Sequence, residues 1–369
     1  MAFSFLKRKK KKSEGNDSRY LNLIVNDVVK ETKDAVSIVF EQPEGGLDYK
    51  SGQFVTVILT IDGKKIRRAY SLCTSPYLSE LPAITIKRVE DGIMSNYIND
   101  HVKAGDVIEI MEPMGSFTPE ISESNTNHYV LFGGGSGVTP LMSITKSVLS
   151  EEPRGKVTLI YANRDENAVI FRDTLVELQS KYGERFQLVQ FLEEVPENWD
   201  GYSGYMTKES LTEIITGLGD HLDDNTLFYT CGPEPMMDIV MNTLESLNIP
   251  DNRKFKESFV AGTTSPKEII ASENGQSGKG TEVTIILDGE EYKYNVMPGK
   301  TILETGLEEN IDMPYSCQSG LCTACRGKCL SGKVKMDEDD GLSDEEKEEG
   351  YVLLCVGHPE TDDVVVEIG

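Results

Sequence analysis

Four cysteines near the C-terminus constrain this chain more than any other feature. Cys317, Cys322 and Cys325 stand in the spacing C-x4-C-x2-C, and Cys355 follows 29 residues after Cys325. Three thiols this close on one loop, with a fourth from a returning segment, have the spacing of a plant-type 2Fe–2S cluster. Thiolates neutralise ferric iron and are soft donors. Ser319, Gly320, Thr323 and Ala324 are small enough to let backbone N–H groups turn toward the sulfurs. Two other readings compete. A structural zinc loop would take Cys329 in place of Cys355, yet zinc knuckles usually come in pairs and one C-x2-C occurs here. Disulfides fit poorly with seven cysteines, an odd number, and no secretion signal ahead of them. A cluster of this kind passes single electrons, so the chain is expected to do redox work.

The 369 residues suffice for two or three domains, and 38% hydrophobic content is compatible with folded cores. A net charge of −25 makes nucleic acid an unsuitable partner. From Glu282 to Gly369 there are 21 Asp or Glu against 7 Lys or Arg, so the cysteine-bearing segment holds over half of the excess. Such a surface would steer the chain toward a basic acceptor, although plain solubility explains it too. The acid run Asp337–Glu349 reads as a solvated surface. No apolar run is long enough to span a bilayer, and the expected location is cytoplasmic. Lys7–Lys12 beside Phe3, Phe5 and Leu6 has the composition of a weak contact with an anionic membrane surface; an unpartnered polar tail is the competing reading.

Hydrophobic patterning divides the chain into a basic tail (1–18), a β-rich part (19–122), an alternating strand–helix part (123–261), a linker (262–281) and a small final domain (282–369). Short alternating strands such as 35–41 and 54–61, with Asp62-Gly63 as a hairpin signal, predict an antiparallel barrel with one helix near 95–102. Apolar strands at 129–132, 157–161, 186–191 and 227–230, separated by helices, predict a doubly wound parallel sheet. In the last domain Asp288-Gly289 marks a hairpin. Thr301 with Glu304 forms a capping box for a helix running to Asn310, set against a small mixed sheet.

Several motifs fall at places where chemistry belongs. Gly133–Pro140 joins a strand to a helix, where backbone N–H groups and the helix field suit a phosphate. From Gly135 it reads G-x-G-x-x-P, so it is not the dinucleotide fingerprint. Arg68-Ala69-Tyr70-Ser71 combines a phosphate fork, a flat ring and a hydroxyl. Gly92-Ile93-Met94-Ser95 opens a helix. Cys231-Gly232-Pro233 follows a buried strand, at the carboxyl edge where doubly wound sheets bind ligands. Taken singly, each has an ordinary structural explanation.

Together, and in this order with a Glu257-Ser258-Phe259 run, these motifs resemble the ferredoxin–NADP reductase superfamily. With the cysteine loop at the C-terminus, the chain resembles the reductase components of multicomponent oxygenases from about Tyr20 onward. The resemblance implies a Greek-key flavin-binding barrel, a nucleotide-binding α/β domain and a β-grasp ferredoxin domain. It implies FAD, a 2Fe–2S cluster held by Cys317, Cys322, Cys325 and Cys355, and NADPH or NADH as electron donor. Arg68, Ala69, Tyr70 and Ser71 would contact the flavin, and Gly92 and Ser95 its pyrophosphate. Gly135, Gly137, Thr139 and Pro140 would form the nicotinamide-nucleotide loop. Cys231 and Gly232 would lie beside the nicotinamide, with Glu257 and Phe259 close to the flavin. Ser71, Cys231 and Glu257 would be the catalytic set. Arg164 follows the second strand of the sheet, where a 2′-phosphate would lie, which favours NADPH; Asp165 and Glu166 beside it weaken that reading. Cys73 reads as packing and Cys329 as incidental. The implied activity is electron transfer from nucleotide through flavin and cluster to an oxygenase component. A non-oxygenase acceptor, such as a hybrid-cluster protein or a desaturase, and a catalytically silent carrier are the alternatives.

Overall fold

The computed structural model describes residues 20–219, 223–259, 280–339 and 341–368. The basic tail, with its expected membrane contact, and most of the linker lie outside the described residues.

The first domain contains β1 (Tyr20–Thr32), β2 (Ala35–Phe40), β3 (Phe54–Ile61), β4 (Lys64–Ser71), β5 (Ala83–Lys87), α1 (Ile93–His101) and β6 (Val107–Met111). Its strands lie in the order β4-β3-β6-β1-β2-β5, and a bridge between Leu72 and Ile84 brings the two ends of the sheet together as a barrel. Asp62 and Gly63 both take left-handed φ values, 52° and 75°, which is the two-residue turn that matches strand twist. Inward residues such as Val25, Ile38, Val57 and Ile110 fill the core.

The second domain contains β7 (His128–Gly134), α2 (Val138–Glu151), β8 (Lys156–Asn163), α3 (Arg172–Tyr182), β9 (Phe186–Leu192), β10 (Tyr202–Ser203), α4 (Lys208–Gly217), β11 (Thr226–Cys231), α5 (Glu234–Ser246) and β12 (Lys254–Glu257). All six strands are parallel, in the order β10-β9-β8-β7-β11-β12. Alternate residues of the central strands face opposite sides. Leu131 and Leu159 pack under α2 and α3, whereas Val130, Phe132 and Ile160 pack under α4 and α5. Burial on both faces is why these strands read as continuous apolar runs. The first of these cores also takes in Ala35, Cys73 and Phe117, so barrel and sheet share packed side chains.

The third domain contains β13 (Thr281–Leu287), β14 (Glu290–Val296), α6 (Ile302–Glu308), β15 (Arg326–Ser331), β16 (Val334–Met336), α7 (Asp344–Glu348), β17 (Tyr351–Leu353), β18 (Gly357–Pro359) and β19 (Val364–Ile368). The main sheet runs β14-β13-β19-β15-β17, with β13 and β19 parallel and the other pairs antiparallel. The capping box of Thr301 and Glu304 is formed, but α6 stops at Glu308, before Asn310. Part of the acid run is not loop: Ser343 caps α7 through Glu346, on a helix with no buried residue. Among the described residues no helix is long and apolar enough to cross a membrane.

Candidate functional site

Strand register assembles the site. At the carboxyl edge of the parallel sheet Gly133, Cys231 and Glu257 stand side by side on β7, β11 and β12. From the barrel, the last residue of β4 reaches the same place: Ser71 Oγ donates to Glu257 Oε2 at 3.5 Å. Ser71 and Cys231 are 2% and 0% exposed. Burial pushes the Cys231 thiol well above its ordinary range, with the nearby Glu257 adding to the effect, so the thiol stays neutral. Glu257 keeps some surface open to the cleft, yet surrounding protein pushes its carboxyl up to about 8. The Ser71 hydrogen bond opposes that rise, and the charge of Cys317 reinforces it.

The rest of β4 alternates. Tyr70 pairs across the ladder with Val55 and packs on the barrel core, and burial raises its phenol above the usual range. Ala69 is exposed. Arg68 Nη1 donates to the Arg67 carbonyl at 2.7 Å, which fixes the guanidinium along the strand.

The glycine loop is built for close approach to the neighbouring loop. A Cβ on Gly137 would lie 2.0 Å from the Cys231 carbonyl oxygen and 2.7 Å from the Gly232 nitrogen. Gly232 in turn backs onto Gly134. Thr139 donates its hydroxyl to the Ser136 carbonyl at 2.9 Å and Pro140 is buried inside α2, so both shape the loop from behind. Ser95 is likewise occupied locally: its Oγ accepts from the Val89 N–H at 3.2 Å and donates to the Gly92 carbonyl. Phe259 ends the described segment and is 41% exposed.

Arg164 forms the local ion pair that its acidic neighbour suggested, with Nε 2.8 Å from Asp165 Oδ2. Asp165 is itself pinned by the N–H groups of Asn167 and Ala168. Two lysines from the barrel were not singled out in the sequence. Lys33 helps line a cavity of about 460 Å³ with Arg164, Asp165 and Asn167. The Lys87 Nζ lies 3.2 Å from where a Gly135 Cβ would be. Burial, and then the Arg164 charge, lower the Lys87 pKa. Their signal is absent from local sequence, because each acts across the cleft between two domains.

In the third domain the four cysteines come close together. The Cys317 thiol contacts those of Cys322 and Cys355, and Cys355 also contacts Cys325. The Ser319 N–H reaches Cys317 Sγ at 3.4 Å. These contacts, with those of Cys322 and Cys355 first, hold the Cys317 thiol below its ordinary range. Cys329 does not join them; its thiol faces the Ser331 carbonyl at 3.2 Å on β15. Gly320 has φ +75° and stacks on Glu338, and the Gly341 N–H donates to the Gly320 carbonyl at 2.8 Å, so Glu338 and Gly341 brace the loop from behind. Four converging thiols with a backbone donor form a soft, anionic donor set that fits an iron–sulfur cluster. The buried Ser316 Oγ has no hydrogen-bond partner among the described residues, which leaves a further polar atom beside the cluster position.

A flavin-dependent electron-transfer reductase with its iron–sulfur domain in the same chain is the class that this fold and site define. The Oxidoreductase FAD-binding domain family matches residues 21–118, the Oxidoreductase NAD-binding domain family residues 131–242, and the 2Fe-2S iron-sulfur cluster binding domain family residues 285–360. The ferredoxin reductase component of 3-ketosteroid-9-alpha-monooxygenase from Rhodococcus rhodochrous is 37% identical, over 95% of this chain and 97% of the relative. A 1,2-phenylacetyl-CoA epoxidase component from Escherichia coli (strain K12) is 33% identical, over 94% of this chain and 97% of its own. The structure of phthalate dioxygenase reductase shares the fold with a TM-score of 0.56, at 24% identity, over 95% of this chain and 98% of that one. The chain belongs to the family of FAD-, NAD(P)H- and 2Fe–2S-dependent ferredoxin reductase components. It is an oxidoreductase that moves electrons from NAD(P)H through FAD to a 2Fe–2S centre.

Proposed function

We propose that this reductase takes NADPH as its preferred donor and delivers electrons to an oxygenase component, as the names of its relatives describe for them. The observation that carries the reading is the junction of three domains around Ser71: its hydroxyl donates to Glu257, beside Cys231 on the sheet, and Phe54, its partner across the ladder, packs with Cys322 and Cys317 of the cysteine loop. FAD held here would supply two-electron acceptance from a nicotinamide and one-electron release toward the cluster position. The protein's part is positioning. Arg68 steadies the flavin phosphate and Tyr70 offers its face to the ring. Gly92 and Ser95 set the start of α1 for the flavin pyrophosphate. Gly135 and Gly137, shaped by Thr139 and Pro140, admit the nucleotide to the carboxyl edge. Cys231 and Gly232 define the wall against which the nicotinamide lies, and Phe259 flanks the flavin. Ser71 and Glu257 hold a proton next to the flavin, Glu257 being protonated near neutral pH. Arg164, with Lys33 and Lys87 near it, provides a cationic pocket for a 2′-phosphate. Cys317, Cys322, Cys325 and Cys355 hold the cluster.

The test is reconstitution with purified oxygenase components of the ketosteroid-hydroxylase and phenylacetyl-CoA-epoxidase kinds. Product formation that requires this chain and NADPH is expected with one of them. Rapid reduction of cytochrome c with no product from either would refute the oxygenase assignment.

A further inference from the structure

Arg67 adjoins the flavin motif but takes no part in it. The register of β3 and β4 places Arg67 opposite Ile58 and Ser71 opposite Phe54, on the face of the hairpin turned away from the barrel core. That face is covered by the third domain. Phe54, Ile58 and Met111 pack with Cys322 and Ala324, and Tyr20, Met114 and Cys317 border them. At the edge of this small apolar patch Arg67 is 2% exposed. Its Nη2 stands 2.8 Å from Asp312 Oδ1, and its guanidinium lies over the Tyr315 ring at 5.2 Å. Lys65 Nζ is 3.3 Å from the other oxygen of Asp312. Arg67 Nε has no hydrogen-bond partner among the described residues. Asp312 and Tyr315 lie five and two residues before Cys317.

Two features make this contact more than packing. A buried guanidinium facing one carboxylate depends on it, because removal of the partner leaves an uncompensated charge. The Asp312 side chain is still 61% exposed, so salt reaches the pair. Burial works against the Asp312 carboxylate, but the Arg67 guanidinium and then Lys65 hold its carboxyl below the usual range.

We propose that Arg67 and Asp312 form an electrostatic latch that docks the 2Fe–2S domain on the flavin domain in the pose competent for flavin-to-cluster electron transfer. The step served is the departure of one electron from the reduced flavin and the reduction of one ferric ion of the cluster; NAD(P)H supplies the electrons. Arg67 and Asp312 are positioning residues. They pair at the contact of the barrel with the third domain and not at the carboxyl edge of the parallel sheet, so the latch governs cluster reduction and leaves hydride transfer alone. This inference rests on the electron path proposed above.

The test is anaerobic rapid mixing of the full, cofactor-loaded chain with NADPH, following flavin and cluster bands separately. In Asp312→Lys the flavin reduces at the wild-type rate while cluster reduction slows about tenfold, the order expected when the solvent-weakened contacts of Asp312 with Arg67 and Lys65 are lost and reversed in sign. The charge-exchanged pair Arg67→Asp with Asp312→Arg recovers to within about threefold of wild type, as a pairwise coupling requires. In the wild type the cluster rate falls as ionic strength rises, and Asp312→Asn flattens that slope. A wild-type cluster rate in Asp312→Lys, an exchanged pair no faster than Asp312→Lys, or a salt-independent wild-type rate would each overturn the latch. A wild-type cluster that never bleaches, although the flavin does, would overturn the electron path and the latch with it.

Discussion

Gly137→Ala is the substitution whose consequence the structure specifies most tightly. The new Cβ would lie 2.0 Å from the Cys231 carbonyl oxygen, 2.4 Å from its carbonyl carbon and 2.7 Å from the Gly232 nitrogen. That is roughly 1.5 Å inside ordinary van der Waals contact. Backbone lies on both sides, so no side chain can rotate away, and the two loops at the carboxyl edge must separate. Overpacking of this kind costs ~1–3 kcal/mol. The kinetic effect is larger, because a displacement of about 1 Å at a reacting geometry costs on the order of 10²-fold. Flavin reduction by NADPH is expected to slow about a hundredfold, while flavin and cluster absorption persist. Gly217→Ala is the control: Gly217 ends α4 with no heavy atom within 4 Å of a Cβ, so Ala there is neutral or stabilising by up to ~1 kcal/mol. Wild-type flavin reduction in Gly137→Ala would refute the close-approach argument.

Four further substitutions probe the site. Cys355→Ser abolishes the cluster bands but leaves NADPH-dependent ferricyanide reduction by the flavin, whereas Cys329→Ser keeps the cluster; the reverse pattern in visible spectra would restore Cys329 as a ligand. Arg164→Ala raises the NADPH KM about fivefold with the NADH KM unmoved, the modest effect expected for loss of an exposed charge contact; equal KM values for wild type and variant would remove the 2′-phosphate role. The raised pKa of Glu257, from an ordinary 4.5 to about 8, means that the folded protein holds a proton the unfolded chain has lost. Its contribution to stability is therefore fully present below pH 4.5 and is lost as pH rises through about 8. Glu257→Gln loses less melting temperature than wild type between pH 5 and 9, and parallel curves would contradict the burial argument.

Much of this architecture is legible in the sequence where one local interaction decides the structure. Asp62-Gly63 and Asp288-Gly289 make their hairpins because both residues of each pair accept positive φ. Thr301 and Glu304 cap α6 reciprocally. Cys355 comes near the loop cysteines, while a β-sheet carries Cys329 away from them. Elements whose support is tertiary were not legible. In α4 Leu211 and Ile215 are the buried residues, too few for a clear helical period, and the helix is held by its Thr207 cap and by its packing. The highly charged β12 (KFKE) becomes a strand by pairing with β11. Glycine and threonine in the nucleotide loop read as ligands, yet Gly137 and Thr139 are needed first for loop-to-loop contact and an internal hydrogen bond. Arg67, Lys33 and Lys87 escaped notice because their partners lie on other domains, far along the chain.

The central claim is that electrons pass from nucleotide to flavin to cluster within one chain. An anaerobic titration of the purified protein with NADPH and then NADH, read by ultraviolet–visible absorption, tests it most directly. The account predicts flavin bands superimposed on broad cluster absorption, both bleaching, with fewer equivalents of NADPH than of NADH needed at low concentration. A flavin that bleaches beside an unchanging cluster, or a protein that stays colourless after reconstitution with FAD, iron and sulfide, would contradict it.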